Sequence, residues 1–358
     1  MHGKALKITV IILLILIVAL LIVFPVSLGR LPAPKTSKGL SEKIKLDTGK
    51  GELGLMLLSE DTSNPVLLIC GGGPGIPQYL LEYLYPSVLP SEFTVCYWDY
   101  RGVCSSFDSA LPAEEMDTEQ FIEDTVFLTD YLRDRFKSEK IYIMGHSFGS
   151  YVALNTVAEH PEKYCCYIAM SQVVDQSRSE IEAFEYMRQR YAELGNEKMV
   201  KKFDGYDIRN SAEDLLEYCS SGLRDEAMHD LGVGTARDMN NVITGIFFPS
   251  LRCTAYTQKE RINLWRGKAA SKEFAENKET KSFNAFEKIP SLEIPVVFVA
   301  GKYDMTCCSD LQEEYYGKVN APYKKLYMFK ESAHSPLYEE PDMAQMILRQ
   351  TKEDMTCI

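Results

Sequence analysis

A serine held between two glycines is the first feature of this sequence that could do chemistry. The stretch 141–150 reads IYIMGHSFGS, an apolar run followed by Gly145, Ser147 and Gly149 and then by a helix-forming segment. A tight turn from a strand into a helix exposes its central side chain, and small residues on either side let neighbouring backbone pass close. The helix N-terminus also offers N–H groups to a developing oxyanion. The pattern predicts that Ser147 is a nucleophile, the alternative being a glycine-rich turn with an idle serine.

A serine hydroxyl needs a base to take its proton, and histidine is the usual one. His334 lies in the loop KESAHSP, after the last predicted strand, and is the candidate base. His146 is adjacent to the serine and cannot turn back onto its hydroxyl. A carboxylate must hold the imidazole tautomer. Asp304, which follows the predicted strand 296–300, is the candidate, and Asp310 is its rival within the next predicted helix.

The glycine-rich loop GGGPG at 71–75 directly follows the predicted strand 66–70. Backbone N–H groups at this point can be turned towards the serine. We therefore predict that an oxyanion is held by the N–H groups of Gly73 and Phe148. A phosphate-binding loop is the other interpretation of so many glycines, but neither G-K-[S/T] nor a G-x-G-x-x-G helix start follows.

The elements that must position these residues are short apolar strands alternating with amphipathic helices. This alternation predicts an α/β fold with a mostly parallel central sheet. Between about 175 and 290 it stops, and charged, aromatic and methionine residues replace the strand runs. We predict a core of residues 43–174 and 291–358, with residues 175–290 inserted as a helical cap. Predicted strands are 53–59, 66–70, 94–98, 141–144, 167–170, 296–300 and 325–329.

One long apolar run, Ile8 to Phe24, precedes this pattern. As a helix it would cover roughly the 30 Å hydrocarbon core of a bilayer. We predict one N-terminal transmembrane helix, with an anchor at 1–28 that contacts lipid through residues 8–28 and a linker at 29–42. We predict a membrane localisation with an extracytoplasmic body, because Lys4 and Lys7 favour a cytoplasmic N-terminus. The opposite orientation stays open, since Arg30, Lys35, Lys38, Lys43 and Lys45 lie on the other flank of the run. A cleaved signal peptide is the alternative.

Composition excludes several classes of function. The 358 residues are 46% hydrophobic and 25% charged, which is typical of a globular protein. The net charge of −12 disfavours nucleic acid as a partner, because such a surface repels phosphate backbones. No pattern of residues indicates a metal or an organic cofactor.

These motifs together resemble the α/β-hydrolase superfamily and, more narrowly, the proline iminopeptidase-like serine peptidases. The loop at 71–75 resembles H-G-G-P-G, with Gly71 in place of the histidine. The segment DYRGVCSS at 99–106 resembles D-Q-R-G-x-G-x-S, departing at Tyr100 and Cys104, and GHSFGS at 145–150 resembles G-G-S-W-G-S. The chain order Ser147, Asp304, His334 is that of α/β-hydrolases. The resemblance spans most of 45–350 and is weakest across the cap.

The resemblance implies an aminopeptidase that releases N-terminal residues, often proline, from short peptides through an acyl-enzyme. It also implies acidic cap residues that bind the free amine of the substrate. Glu180, Glu182 and Glu185 are the candidates, because a glutamate-rich helix opens the cap. A carboxylesterase or lipase-like hydrolase of small acyl esters is the first alternative. A non-catalytic, membrane-tethered binding protein on the same scaffold is the second.

Overall fold

The computed structural model describes residues 13, 24–111, 117–275, 280 and 282–355. Within these residues the chain forms an eight-stranded sheet in the order β1-β2-β4-β3-β5-β6-β7-β8. Strand β2 runs antiparallel to both of its neighbours, and β3 to β8 are mutually parallel, which confirms the predicted α/β-hydrolase fold with a mostly parallel sheet. The strands are β1 (Leu40–Asp47), β2 (Glu52–Ser59), β3 (Val66–Cys70), β4 (Thr94–Trp98), β5 (Ile141–His146), β6 (Tyr164–Met170), β7 (Val296–Gly301) and β8 (Lys324–Phe329).

The central strands are buried along their whole length. Every residue of β3, β4, β5, β6 and β7 is buried. A strand covered on both faces has no solvent side, so its sequence is a continuous apolar run without alternation. This is why these strands could be predicted from short runs such as VLLIC and VVFVAG.

Helices fill the connections between the strands. The first four lie before β6: α1 (Gln78–Leu84), α2 (Leu89–Glu92), α3 (Thr118–Phe136) and α4 (Phe148–Glu159). Between β6 and β7 lie α5 (Gln176–Glu193), α6 (Glu197–Phe203), α7 (Ala212–Cys219), α8 (Gly222–Asp230), α9 (Phe248–Arg252), α10 (Gln258–Ala275) and α11 (Ala285–Lys288). After β7 come α12 (Ser309–Lys318), α13 (Pro336–Glu339) and α14 (Pro341–Asp354).

The helices between β6 and β7 pack in two different ways. Those from α5 to α8 bury side chains in a hydrophobic cluster of their own, which includes Phe184, Phe203 and Tyr218. Helix α10 instead contributes Leu264 to the main core that surrounds the sheet. The insertion predicted at 175–290 therefore contains a separately packed helical part followed by a helix that is fixed to the sheet.

The prediction of a membrane anchor needs to be corrected. In the part of the chain that the structure describes, no helix combines the length and the apolar character needed to cross a membrane. The prediction of a membrane localisation with an extracytoplasmic body is therefore wrong for these residues. It rested on the length of one apolar run, and residues 1–12 and 14–23, which contain most of that run, lie outside the described residues.

The segment predicted as a linker, residues 29–42, contacts the body of the protein. Its last residues belong to β1, and the Ser41 hydroxyl donates to the Pro32 carbonyl. Phe24 and Pro25, which precede this segment, contact Arg261 of α10. Arg261 is fully buried, its guanidinium donates to the Pro25 carbonyl at 2.6 Å, and it lies over the Phe24 ring. Proline and serine predict irregular backbone, but they do not reveal whether that backbone is held by neighbouring groups.

Candidate active site

Ser147 occupies the turn between β5 and α4. Its φ of 54° and ψ of −127° are strained for a residue with a side chain, which is the backbone expected of an exposed nucleophile turn. The turn is held by hydrogen bonds from Ser147 N–H to the Met170 carbonyl at 3.2 Å and from Ser150 N–H to the Ser147 carbonyl at 2.8 Å. The hydroxyl-bearing residue is thus fixed at the carboxyl end of β5.

The glycines around Ser147 are required by close backbone contacts. A Cβ atom at Gly149 would lie 2.0 Å from the Cys70 carbonyl oxygen and 2.4 Å from that of Gly71. One at Gly145 would lie 2.4 Å from the Ser150 Cα. Real Cβ atoms do not approach backbone so closely, so Gly149 lets α4 pack against the end of β3 and Gly145 lets it pack against the end of β5.

We expect Gly149→Ala to lower the free energy of unfolding by about 1–3 kcal/mol, because overpacking a rigid site forces the backbone to move. The displaced atoms belong to Cys70 and Gly71, at the start of the glycine loop, so activity should also fall. Urea unfolding followed by circular dichroism measures the first effect. The matched control is Gly317→Ala, near the end of α12, where a Cβ would meet nothing within 4 Å. It should be neutral or slightly stabilising, and equal losses in both variants would contradict the packing argument.

His334 and Asp304 are joined directly. His334 Nδ1 lies 3.0 Å from each carboxylate oxygen of Asp304, and both side chains are buried. Asp304 follows β7 and His334 follows β8, so two adjacent parallel strands bring them to the same edge of the sheet as Ser147. An Nδ1–H donated to the carboxylate leaves Nε2 with its lone pair, which is the tautomer that a general base requires.

The Asp304 carboxylate is held in place by its own loop. Its Oδ1 accepts hydrogen bonds from the Thr306 and Cys307 N–H groups, each at 2.9 Å, and Oδ2 lies 3.4 Å from the Gln312 amide. The rival residue, Asp310, is exposed in the first turn of α12. Of the two aspartates, only Asp304 is brought to the His334 ring.

His146 lies behind the candidate triad and is not free to act as a base. Its Nε2 is 2.8 Å from the His334 carbonyl oxygen, and its Nδ1 is 3.2 Å from Gln78 Oε1. Burial, together with the nearby His334 ring, lowers the pKa of His146 from 6.5 to about 3. His146 is therefore neutral at ordinary pH, and its Nε2–H supports the backbone of the residue that carries the candidate base.

This buried neutral histidine gives a pH dependence of stability. The unfolded state takes up the His146 proton near pH 6.5 and the folded state only near pH 3, so stability is lost as the pH falls between these values. From pH 7 to pH 5 we expect the wild type to lose roughly 2 kcal/mol of unfolding free energy more than His146→Gln. Glutamine retains a donor for the His334 carbonyl. Urea titrations at both pH values measure the difference, and identical losses would show that His146 is not the group involved.

The glycine loop at 71–75 lies against Ser147. A Cβ atom at Gly72 would be 3.2 Å from the Ser147 Cβ, and Gly73 has a φ of +124°, which favours glycine. The Gly72 N–H donates to Gln78 Oε1 at 3.2 Å. The Tyr100 hydroxyl donates to the Gly71 carbonyl at 3.0 Å, so the tyrosine at which the sequence departs from the family motif supports this loop.

The rest of the DYRGVCSS motif is structural. Arg101 forms a buried two-point ion pair with Asp124 of α3, with N···O distances of 3.1 and 2.6 Å. Asp99 accepts from the Ser105 backbone N–H at 3.0 Å and from the Tyr256 hydroxyl at 2.9 Å. Tyr256 immediately precedes α10, so the motif ties the strand edge to the helix that covers the glycine loop.

A cavity of about 280 Å³ opens at Ser147 and His334. Gly72 and Gly73 form part of its wall. Most of the remaining wall is apolar: Ile76, Leu80, Leu81, Leu84, Met228, Met239, Val242, Ile246 and Trp265. Within the described ranges, no group of three or more His, Cys, Asp and Glu residues is arranged to hold a metal ion. The cavity is large enough for a small molecule or a short peptide end, and the candidate serine lies in its wall.

The three glutamates predicted to bind a substrate amine do not line this cavity. Glu180 is buried and receives two hydrogen bonds from Arg224, at 2.7 and 2.6 Å. Glu182 pairs with Arg178 and Glu185 with Arg209, towards solvent. Because none of the three lines the cavity, the structure does not bring these residues to Ser147.

Four residues at the site were not singled out from the sequence. Gln78 contacts both the glycine loop and His146, whereas Arg224, Asp225 and Lys268 line the cavity. Gln78 had a usable signal, since it begins the helix that follows the glycine loop. The other three come from α8 and α10, far along the chain, and nothing in their local sequence distinguishes them from charged surface residues.

Comparison with known proteins agrees with this geometry. A family model for the alpha/beta hydrolase fold matches residues 65–341. The chain is 30% identical over 317 residues to the probable aminopeptidase YbaC of Bacillus subtilis (strain 168), covering 86% of this chain and 94% of that protein. It is 20% identical over 297 residues to a proline iminopeptidase of Heyndrickxia coagulans, covering 83% and 93%.

A solved structure shows the same architecture. The proline iminopeptidase-related protein from Thermus thermophilus superimposes with a TM-score of 0.61 at 17% identity, covering 88% of this chain and 98% of that one. At this identity the likeness concerns the fold alone. The family match and this shared fold both cover most of the chain, whereas the motifs covered only short segments of it. The protein is a hydrolase that belongs to the alpha/beta hydrolase fold family.

Proposed function

We propose that this protein is a serine hydrolase that releases N-terminal residues from short peptides through an acyl-enzyme. The observation that supports it most is the contact of His334 Nδ1 with both Asp304 oxygens at 3.0 Å, at the cavity where the strained Ser147 turn opens. A buried aspartate that fixes a histidine tautomer, at a cavity that also contains a serine, is the arrangement that nucleophilic acyl transfer needs.

In the proposed mechanism His334 Nε2 takes the Ser147 proton as the hydroxyl attacks the substrate carbonyl. The resulting oxyanion is held by the Gly73 and Phe148 N–H groups, each lowering the barrier by about 3 kcal/mol. His334 then returns the proton to the leaving amine. Water, activated by the same histidine, hydrolyses the acyl-enzyme. Asp304 stabilises the imidazolium formed in each half of the reaction.

The short-peptide substrate is supported by the cavity and by the relatives. A volume of about 280 Å³ accommodates a peptide end but not a folded chain. The two relatives described above are named as an aminopeptidase and a proline iminopeptidase. In place of the three predicted glutamates, we propose that Asp225 of α8 attracts the substrate amine. Asp225 lines the cavity, and its ion pair with Arg224 is at 3.2 Å.

The test measures turnover by the full chain of alanyl and prolyl arylamides, each prepared once with a free amine and once with an N-acetylated amine. We expect turnover of the free amines and loss of turnover on acetylation, because acetylation removes the positive charge. Asp225→Asn should raise KM for the free amines. Faster turnover of the acetylated substrates would reject an aminopeptidase.

An esterase or lipase-like hydrolase of small acyl esters is the second candidate. The apolar wall of the cavity favours it, since such a wall suits an acyl chain as well as a proline ring. This function needs the same serine, histidine and aspartate but no free amine. Turnover of short acyl esters combined with inertness towards every arylamide would identify the esterase.

A further inference from the structure

Lys268 of α10 is a cation in the active-site cavity that has no carboxylate partner. Its Nζ donates to the Pro74 carbonyl at 3.2 Å, and in the described part of the chain no carboxylate oxygen lies within 4.0 Å of it. The side chain is largely covered, and burial lowers the pKa of Lys268, with Asp225 acting in the opposite direction. Burying a cation without a counter-ion is costly, so an anion that entered the cavity would relieve a cost already present.

The other cation of the cavity is different. Arg224 is held by two hydrogen bonds from its guanidinium to Glu180 and by an ion pair with Asp225. Its charge is balanced within the protein, and its fork geometry is used by Glu180. An incoming anion therefore finds an uncompensated positive charge at Lys268 and not at Arg224.

Lys268 is also close to the proposed chemistry. Its partner, Pro74, follows Gly73, whose N–H is a proposed oxyanion donor, and Ser271 of the same helix donates to the same carbonyl at 3.0 Å. A Cβ at Gly75 would lie 2.9 Å from the Lys268 Cα, so α10 rests directly on the loop. The ammonium group lies beside the loop that borders Ser147, and Lys268 and Asp225 line the same cavity.

We propose that Lys268 binds the C-terminal carboxylate of the substrate, so that the preferred substrates are very short peptides with both ends free. This inference rests on the proposed function and deepens it. A dipeptide carries a cation and an anion a few bonds apart, and the cavity presents Asp225 and Lys268 to receive them. The carboxylate would replace the Pro74 carbonyl as the stronger acceptor for the Lys268 ammonium.

The experiment compares alanylglycine with alanylglycinamide, which differ only in the charge of the C-terminal group. For the wild type we expect kcat/KM to be about 10- to 100-fold higher for the free acid, the effect of one charge-assisted hydrogen bond. Lys268→Met keeps the length of the aliphatic chain and removes the charge. It should bring the ratio of the two kcat/KM values close to one, and Lys268→Arg should preserve the preference.

The ratio separates recognition from support of the loop. If Lys268 only held Pro74, Lys268→Met would slow both substrates equally and leave the ratio unchanged, which would overturn the proposal. Lys259→Met is the matched control, since Lys259 is an exposed lysine on the same helix. It should retain the wild-type preference. A wild type that hydrolyses the amide as well as the acid would also overturn the proposal.

Failure of the proposed function would be recognised separately. If neither peptide is cleaved but p-nitrophenyl acetate is, the peptidase assignment fails and the two peptides become competitive inhibitors of ester hydrolysis. The Lys268 proposal then predicts a lower inhibition constant for alanylglycine than for its amide, and this difference should disappear in Lys268→Met. Equal inhibition constants in the wild type would reject it.

Discussion

Replacing Ser147 with alanine is expected to lower kcat on the order of 10⁶-fold, because no other group can form the acyl-enzyme. The fold should be retained, since the Ser147 turn is held by backbone hydrogen bonds that alanine also makes. The residual rate would come from the oxyanion donors and from substrate binding. Turnover of the best arylamide or ester, together with labelling by a fluorophosphonate, measures the effect.

The control for this variant is Ser335→Ala. Ser335 lies next to His334, and its hydroxyl already donates to the Thr235 carbonyl at 2.7 Å, so it has no role in the proposed mechanism. It should still be labelled by the fluorophosphonate, whereas Ser147→Ala should not. Labelling that persists in Ser147→Ala would place the nucleophile elsewhere and remove the basis of the proposed mechanism.

The second large effect is expected for Asp304→Asn, which should reduce kcat about 10⁴-fold. An asparagine amide can turn its NH₂ group to His334 Nδ1, so the ring then carries its proton on Nε2. That tautomer cannot accept the Ser147 proton. The shape of the side chain is nearly unchanged, and the loop donors at Thr306 and Cys307 can still reach the remaining carbonyl oxygen.

Asp310→Asn is the matched control, because Asp310 is the other aspartate of the same loop and helix. Asp310 is exposed and makes no hydrogen bond to the His334 ring, so kcat should change by less than about threefold. Steady-state kinetics on one substrate compares the two variants. If Asp310→Asn were the damaging change, the proposed orienting role of Asp304 would be refuted.

The central strands and the meeting of Ser147, Asp304 and His334 at one edge follow from a single rule. Each of these residues comes just after a short apolar run, and the carboxyl ends of parallel strands lie at the same edge of a sheet. Apolar runs are a strong signal because burial on both faces removes alternation. Strand β1, with the sequence LSEKIKLD, was not predicted. It lies at the sheet edge, where partly exposed charged residues interrupt the apolar run that would have indicated a strand.

The lining of the cavity could not be predicted in the same way. Spacing within a helix shows which side chains share a face, but it does not show what the neighbouring helix presents to that face. Glu180 was a reasonable candidate until Arg224, 44 residues further along, was seen to occupy both of its oxygens. Lys268 was not predicted for the complementary reason, since only the tertiary structure shows that, among the described residues, no carboxylate forms an ion pair with its ammonium group.

The buried Arg261 has a consequence for anyone who shortens this protein. Its guanidinium depends on main-chain oxygens of Pro25 and Leu251 and on the Phe24 ring, and its Nε already has no hydrogen-bond acceptor. A recombinant version that began at residue 36, beyond the apolar run, would expose or strand this charge at a cost of about 1–3 kcal/mol. Trimming should therefore stop before Phe24, so that the arginine keeps these partners.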